Sequence, residues 1–429
     1  MDIKRFILAT ARSVAFVVVA STSLATVTAV IAPAALAAEK AKFSQKVGKP
    51  LQEAQQLMGQ KNWKGALEKI NEAAAVSGKS PQEESAINEY KAYCLAQLND
   101  NAGAAKVLET MLAGNQVAAD QVQAKVLLLS QIYFQLKDYP KSIQYAERYL
   151  KESGANADVT QQLAQSYYLK GDFKTAGEHV QKLIKQAEQA KKVPEKEWLV
   201  LLMSSQFKLD DKPGVTTTLE SLLAHYPTQE YWKNIFKYLG NEASYSERET
   251  IEILRLKKTL GILEANEYVE MAELSIAMTD PGDAKAALEA GISAGLLGQD
   301  KNKERETRLL NLAKNQAKED LATIDASAKE GQAKPTGDML AKIGAAYLGH
   351  GLYDKAAATL QAAVNKGGVV NIDEAYVRLG VANLNLGNKS EAIKAFQSVS
   401  SKAKLARLSR LWIIYAQSNQ GNQSKPAKK

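Results

Sequence analysis

Apolar residues recur along most of the chain at intervals of three and four positions, which places them on one side of an α-helix. Leu128, Leu129 and Ile132 are one example. Single hydrophobic cores stop growing at roughly 250–300 residues, whereas this chain has 429 residues. The pattern therefore predicts an all-α chain that either divides into domains or repeats.

Three segments share a more specific order of residues, in which a large–small pair is followed by a turn and then by a small residue that opens the next helix. These segments are 163–176, 343–356 and 379–392. Two of them have aromatic residues one helical turn after the pair and again at the turn, as Tyr168 and Phe173 show. The three segments resemble the consensus of the tetratricopeptide repeat (TPR), a hairpin of two helices.

Each feature of this motif has a physical reason. The small residue of the first helix, such as Ala164, lets the second helix approach closely. The turn glycine, Gly171, adopts a backbone conformation that other residues enter at a cost. The turn aromatic, Phe173, fills the space beneath the hairpin, and Ala176 lies where the two helices cross. Because neither helix buries its apolar side alone, neighbouring hairpins must stack.

The small residue of the second helix can be followed along the chain at spacings close to the roughly 34 residues of this family. The positions are Ala66, Ala105, Ser142, Ala176, Thr216, Ile251, Ala286, Ala322, Ala356 and Ala392. The resemblance implies a right-handed TPR solenoid of about ten helix-turn-helix repeats over residues 38–402. An amphipathic helix at 403–418 is expected to cap it, and residues 419–429 are expected to be a disordered basic tail.

The N-terminus has the pattern of an export signal. Lys4 and Arg5 begin a basic region, an uncharged run follows, and Ala35-Leu36-Ala37 gives a small-x-small cleavage site. We expect residues 1–37 to be removed and the mature chain to be periplasmic, with no membrane span. The apolar run is also long enough to approach a spanning helix, so a retained anchor is the alternative.

Charge and cysteine content narrow the class further. The formal net charge is +8, and residues 402–429 contain seven basic residues and no acidic one. The basic character therefore belongs to the tail, and the body does not resemble a nucleic-acid-binding protein. Cys94 is the only cysteine, and its helical surroundings predict a buried core residue without a disulfide.

The sequence offers no group of residues for catalysis, for a metal or for a cofactor. His179, His225 and His350 lie in different repeats, outside any metal-binding spacing. Neither a phosphate-binding glycine loop nor a nucleophile elbow is present. We therefore predict a protein that is not an enzyme.

The remaining candidate is the groove that the first helices line in a TPR superhelix. Counted from the repeat positions, eight exposed first-helix residues are expected there, with aromatic and amide side chains suited to peptide capture. The alternative is that the aromatic residues only pack between repeats. The eight residues are Gln131, Phe134, Gln161, Gln165, Tyr168, Trp198, Leu201 and Ser205.

Several stretches are also similar to the periplasmic TPR proteins encoded beside TonB–ExbB–ExbD energy-transducing systems. The stretches are 193–202 with its Trp-Leu-Val-Leu-Leu helix, Tyr226-Pro-Thr-Gln-Glu-Tyr-Trp232, 287–292, and 365–368 leading into 379–382. The resemblance implies an accessory of TonB-dependent uptake whose partner is TonB, ExbD or a TonB-dependent receptor. An envelope-biogenesis or outer-membrane assembly adaptor, a cell-wall-associated binding protein, and an enzyme or small-ligand-binding protein remain as alternatives.

Overall fold

The computed structural model describes residues 43–242, 244–299 and 302–418. The chain divides into two compact units, one ending at Thr218 and the other beginning at Leu219. The predicted signal segment 1–37 and the tail 419–429 lie outside the described residues. Among the described helices, none combines the length and the apolar character that crossing a membrane requires.

The N-terminal unit consists of successive helix hairpins, with a short 3-10 turn at Ala119–Gln121 before the third. Its helices are α1 (Gln45–Gly59), α2 (Trp63–Ala74), α3 (Pro81–Gln97), α4 (Asn101–Ala113), α5 (Val122–Gln135), α6 (Tyr139–Ser153), α7 (Ala157–Lys170), α8 (Phe173–Gln189), α9 (Lys196–Lys208) and α10 (Lys212–His225), which continues past Thr218 into the second unit.

The C-terminal unit is also helical throughout its described residues. Its helices are α11 (Gln229–Glu242), α12 (Glu247–Thr259), α13 (Ala265–Ala277), α14 (Pro281–Ser293), α15 (Lys303–Ala333), α16 (Asp338–Gly349), α17 (Tyr353–Lys366), α18 (Ile372–Asn385), α19 (Lys389–Gln397) and α20 (Ala406–Gln417). The prediction of an all-helical TPR solenoid with a C-terminal capping helix is confirmed.

Short turns that contain a left-handed residue close the hairpins, and in several of them the next residue caps the following helix. Gly171 has φ +97°, and the next residue, Asp172, accepts a 3.1 Å hydrogen bond from the backbone N–H of Thr175. An N-cap side chain that accepts such a hydrogen bond satisfies one of the backbone N–H groups that have no partner at the start of a helix. The equivalent left-handed residues elsewhere are Lys61, Asn99, Lys137, Asp210, Thr279, Gly351 and Gly387.

These turns correct the predicted register in three repeats. The buried residue of the second helix lies five positions after the left-handed residue, as Ala176 lies after Gly171. The same distance selects Ala104, Val215 and Ala284, all buried, instead of Ala105, Thr216 and Ala286. The predicted position is one residue too late in the first two repeats and two residues too late in the third.

The predicted hairpin around Ala322 is wrong, since the single helix α15 occupies its place. Ala322 is exposed near the middle of this 31-residue helix. Neither Gly nor Pro interrupts residues 303–330, so nothing in that stretch favours a turn. α15 continues to Ala333, and α14 packs directly against α16.

The cap joins the last hairpin through a chain of close contacts. Gly380 on α18 leaves room for the ring of Phe396 on α19, because an added Cβ would lie 2.6 Å from two ring carbons. That ring stacks on Trp412 of α20 with centroids 5.7 Å apart. Trp412 and Tyr415 of the cap are both buried. The small residue that the TPR motif places on a first helix therefore sets the position of the cap.

Candidate functional site

We call the side of each unit on which the first helices of neighbouring hairpins meet its first-helix face. In the N-terminal unit α1 contacts α3, and α7 contacts α9. Trp198 Nε1 of α9 donates a 2.8 Å hydrogen bond to Gln161 Oε1 of α7. One repeat earlier, Gln162 Nε2 donates to Ser130 Oγ of α5 at 3.4 Å. Polar contacts therefore join successive first helices on this face.

A lysine and a glutamate continue this face towards the N-terminus. Lys125 of α5 is buried, and Glu89 of α3 lies close enough to interact with it electrostatically. Burial lowers the pKa of Lys125 and raises the pKa of Glu89, while their mutual attraction opposes both shifts. The buried charge of the lysine therefore has a compensating carboxylate on the neighbouring first helix.

Four of the eight predicted groove residues are buried and do not present side chains to a groove. They are Gln165, Trp198, Leu201 and Ser205. All residues of α9 from 198 to 205 are buried, because a helix that is apolar on every side packs on every side. Ser205 lies towards α8, since a Cβ added at Gly177 would be 3.6 Å from its Cβ. The expectation of exposed side chains at these four positions is wrong.

The other four predicted residues, Gln131, Phe134, Gln161 and Tyr168, are partly exposed on α5 and α7. Tyr168 meets the turn residue Phe173 edge to face, with ring centroids 5.1 Å apart. Phe134 meets Tyr139 in the same way at 6.0 Å. These pairs close the bases of two successive hairpins. They leave an array of amide and aromatic groups that solvent still reaches in part.

The C-terminal unit contains a second polar site, built from α12 and α18. Arg248 donates from Nε and from a terminal nitrogen to the two carboxylate oxygens of Glu374, at 2.9 and 3.0 Å. Arg378 Nε donates to Glu252 Oε1 at 2.7 Å, and another of its nitrogens lies 2.9 Å from Glu374 Oε1. Paired donors on a carboxylate are the strong form of this contact. Two arginines and two glutamates thus connect α12 to α18, and the residues paired across the two helices are 126 positions apart in the sequence.

The network continues to the start of α14. Arg255 Nε donates to Glu252 Oε2 at 3.1 Å, and its terminal nitrogens lie 3.0 and 2.6 Å from the two oxygens of Asp283. Burial alone would raise the pKa of Asp283, but Arg255, Lys258 and Arg378 outweigh it and lower the pKa to about 2. The same competition lowers the pKa of Glu252. These carboxylates are therefore charged in the folded protein.

Asp280, the residue that precedes α14, has the opposite environment. Both of its carboxylate oxygens are buried without a hydrogen bond of normal geometry. Burial, and then repulsion from Asp283, raise its pKa to about 7, with Arg378 and Arg255 opposing the shift. One buried acid of the network therefore changes charge near neutral pH.

Two cavities flank the network. One has a volume of about 330 Å³, with Arg248, Lys342 and Arg378 on its walls together with Asp280 and Asp320. The other, of about 300 Å³, lies beside Arg255, Asp283 and His350. His350 Nε2 is 2.7 Å from Asp320 Oδ2. Over the described ranges, no three or more His, Cys, Asp or Glu side chains are grouped so as to hold a metal ion.

Sequence reasoning missed this network, because no residue of it matches a known motif. A detectable signal exists in the spacing of Arg248, Glu252 and Arg255, which puts three charges on one side of α12.

By contrast, the prediction for Cys94 is confirmed. The thiol is fully buried, and burial raises its pKa to about 12.

Comparisons with known proteins agree with the repeat architecture. Residues 342–403, which run from within α16 to just beyond α19, match the family model of the tetratricopeptide repeat. The comparison with curated proteins gives no match.

Solved structures similar to the chain include a tetratricopeptide repeat protein from Parabacteroides merdae. It is 13% identical, with 63% of this chain and 99% of that chain covered and a TM-score of 0.32. The Naa15/Naa10 structure bound to HypK-THB is 15% identical, with 85% of this chain and 60% of that chain covered and a TM-score of 0.37. The TPR domain of P58(IPK) is 12% identical, with 88% of this chain and 99% of that chain covered and a TM-score of 0.23.

The match over residues 342–403 shows that this segment is of the tetratricopeptide-repeat type, and the described residues of both units are all-helical and built mainly of hairpins, as the repeat predicts.

Proposed function

We propose that the protein is a non-catalytic scaffold that binds a segment of another protein on the first-helix face of its N-terminal unit. One observation carries the proposal. Gln131, Phe134, Gln161 and Tyr168 form a partly exposed array of amide and aromatic groups on α5 and α7. Amides supply hydrogen bonds and rings supply contact area at low cost in side-chain entropy, which suits an extended polypeptide.

The scaffold is proposed to act in the periplasm. The basic start, the uncharged run and the Ala35-Leu36-Ala37 site support export followed by cleavage. N-terminal sequencing of the chain from a periplasmic fraction should begin at Ala38. A chain recovered from membranes that begins at Met1 would instead support the retained anchor.

Within the periplasm, we propose that the protein is an accessory of a TonB–ExbB–ExbD system. The support is the similarity over residues 193–202 and 226–232, together with the proposed export. Its partner would be TonB, ExbD or a TonB-dependent receptor. The second candidate, an envelope-assembly adaptor, rests on the same TPR architecture without that similarity.

Titration of the purified chain with soluble periplasmic segments of TonB and of ExbD tests this function. We expect one segment to bind, and Gln131→Arg to weaken that binding about tenfold, because the change places a bulky charge on the binding face. Gln144→Arg makes the same change on an exposed residue of α6, a second helix, and should leave the affinity unchanged.

Two other outcomes would count against parts of the proposal. If neither segment binds, TonB and ExbD fail as partners, and the link to the TonB system then requires binding to a TonB-dependent receptor, tested by the same titration. Equal weakening by Gln131→Arg and Gln144→Arg would mean that the partner does not dock on the first-helix face.

A further inference from the structure

The cavity of about 330 Å³ in the C-terminal unit has the size of a small-molecule site. Its walls come from α12, α15, α16 and α18 and from the turn that precedes α14. Ligand pockets in proteins typically have volumes of roughly 300–1,000 Å³, so this cavity is at the lower end of the range. The space therefore suits a ligand of few atoms.

Five charged side chains line this cavity, and one of them differs from the rest. Asp280 is buried, and within the described part of the chain neither of its carboxylate oxygens has a hydrogen bond of normal geometry. The other four have partners: Arg248 and Arg378 pair with Glu374, Lys342 pairs with Asp338, and Asp320 contacts His350. The wall therefore contains one acid whose hydrogen-bonding capacity is unused.

The exposure of these residues gives the cavity a mouth and a buried end. The side chain of Lys342 is 67% exposed and that of Arg248 is 35% exposed, so both reach solvent. Asp280 is only 7% exposed and marks the buried end. Arg378 is also buried there, but two glutamates already compensate its charge. A ligand that enters thus meets two basic groups first and a carboxylate last.

An ammonium group is the ligand end that complements Asp280. A buried acceptor without a hydrogen bond is costly, and the cost is greater when the acceptor is charged. Burial, and then repulsion from Asp283, accordingly raise the pKa of Asp280 to about 7. A positively charged N–H donor would remove this cost and make the stronger, charge-assisted type of hydrogen bond.

A carboxylate is the ligand end that complements the mouth. Lys342 has three N–H donors, and its printed contact with Asp338 uses one of them. Apolar side chains form part of the remaining wall, with Ile324 of α15 and Ile343 of α16 both buried at the cavity. Burial of an aliphatic group against such a surface is favourable.

We propose that this cavity binds a free amino acid with an aliphatic side chain. Its ammonium group contacts Asp280, its carboxylate contacts Lys342 and Arg248, and its side chain packs against Ile324 and Ile343. The site goes beyond the scaffold function and belongs to the other unit, so either proposal can fail without the other.

Isothermal titration calorimetry of the full chain with L-leucine tests the site. The titration is run at pH 8, where Asp280 is mostly ionised because its pKa is about 7. Two analogues each lack one charged group, since isoamylamine has no carboxylate and isocaproate has no ammonium. We expect leucine to bind, and each analogue to bind at least about tenfold more weakly, because each leaves one end of the site unpaired. No binding of leucine, or equal affinity for the three compounds, would overturn the proposal.

Asp280→Asn tests the buried end. The change keeps the shape of the side chain and removes its charge, so leucine should bind at least about tenfold more weakly. Isocaproate, which has no ammonium, should not lose affinity. The matched control Asp354→Asn changes an exposed acid of α17 and should leave the affinity for leucine unchanged. Equal affinities of the two variants for leucine would show that leucine binds elsewhere.

Lys342→Gln tests the mouth. It should weaken the binding of leucine at least about threefold and leave the binding of isoamylamine unchanged, because only leucine has a carboxylate. Equal losses for both compounds would contradict this placement of the carboxylate. Thermal unfolding without ligand shows whether each variant is folded, and the comparison of the three compounds on the wild-type chain decides the matter if Asp280→Asn is not.

Discussion

Glu252→Gln is expected to lower the unfolding free energy of the C-terminal unit by about 3 to 5 kcal/mol. The Glu252 carboxylate is fully buried and accepts hydrogen bonds from both Arg378 and Arg255. The amide of glutamine has nearly the same shape, but it carries no charge and offers one acceptor instead of two. Two buried guanidinium groups would then lose their shared counter-charge.

Urea unfolding, followed by circular dichroism and tryptophan fluorescence, measures this loss. The matched control is Glu247→Gln on the same helix, where the glutamate is exposed and the effect should stay within about 0.5 kcal/mol. Equal midpoints for the two variants would mean that the buried network contributes nothing to the stability of this unit.

Asp280→Asn is expected to stabilise the protein at pH 8 and to leave it nearly unchanged at pH 4. Folding raises the pKa of Asp280 from 3.8 to about 7, so between these values the folded state holds a proton that the unfolded state has lost. Stability from this group is therefore full below about pH 4 and is lost as the pH rises through about 7. The difference is roughly 4 kcal/mol at most, since one pKa unit corresponds to about 1.4 kcal/mol.

Thermal unfolding at pH values from 4 to 8 tests this expectation. The wild-type melting temperature should fall across the range relative to that of Asp280→Asn, which cannot ionise at this position. Asp283→Asn provides the contrast, because its partner Arg255 would lose a counter-charge and stability should drop at every pH in the range. Parallel pH profiles for the wild type and Asp280→Asn would show that Asp280 stays charged throughout.

The hairpins could be predicted from sequence because their signals are local. A glycine or polar residue at the turn, an Asp or Asn cap and a small residue in the second helix lie within a few positions of one another, as Gly171, Asp172 and Ala176 do. Where the turn signal is absent, as around Ala322, spacing alone predicted a hairpin and the chain forms one helix.

The charged site could not be predicted in the same way, for two physical reasons. Glu252 and Arg378 are 126 positions apart in the chain, and no local rule pairs them. In addition, the buried side of α12 carries charges. The segment from Tyr245 to Leu263 therefore lacks a clear helical spacing of apolar residues. Ion pairs compensate burial there, which inverts the usual relation between polarity and exposure.

The groove prediction failed on α9 for a related reason. Residues 198–203 are all apolar, so the sequence does not indicate which side of α9 faces a neighbour. The structure buries every side, and the sequence position of Ser205 said nothing about its contact with α8. On α5 and α7, where polar residues alternate with apolar ones, the predicted exposure is correct for Gln131, Phe134, Gln161 and Tyr168. It is wrong for Gln165 of α7, which is buried although its side chain is polar.

The central claim is that a protein partner docks on the first-helix face of the N-terminal unit. The most direct test is photo-crosslinking in cells, with a photoreactive amino acid at Tyr168 or Gln131 and, as control, at the exposed Lys389 of the α18–α19 hairpin. Ser205 is unsuitable because it is buried. We expect defined protein adducts from the first two positions and none from Lys389, with mass spectrometry identifying TonB, ExbD or a TonB-dependent receptor. The absence of adducts from both Tyr168 and Gln131, or the same adducts from all three positions, would contradict the claim.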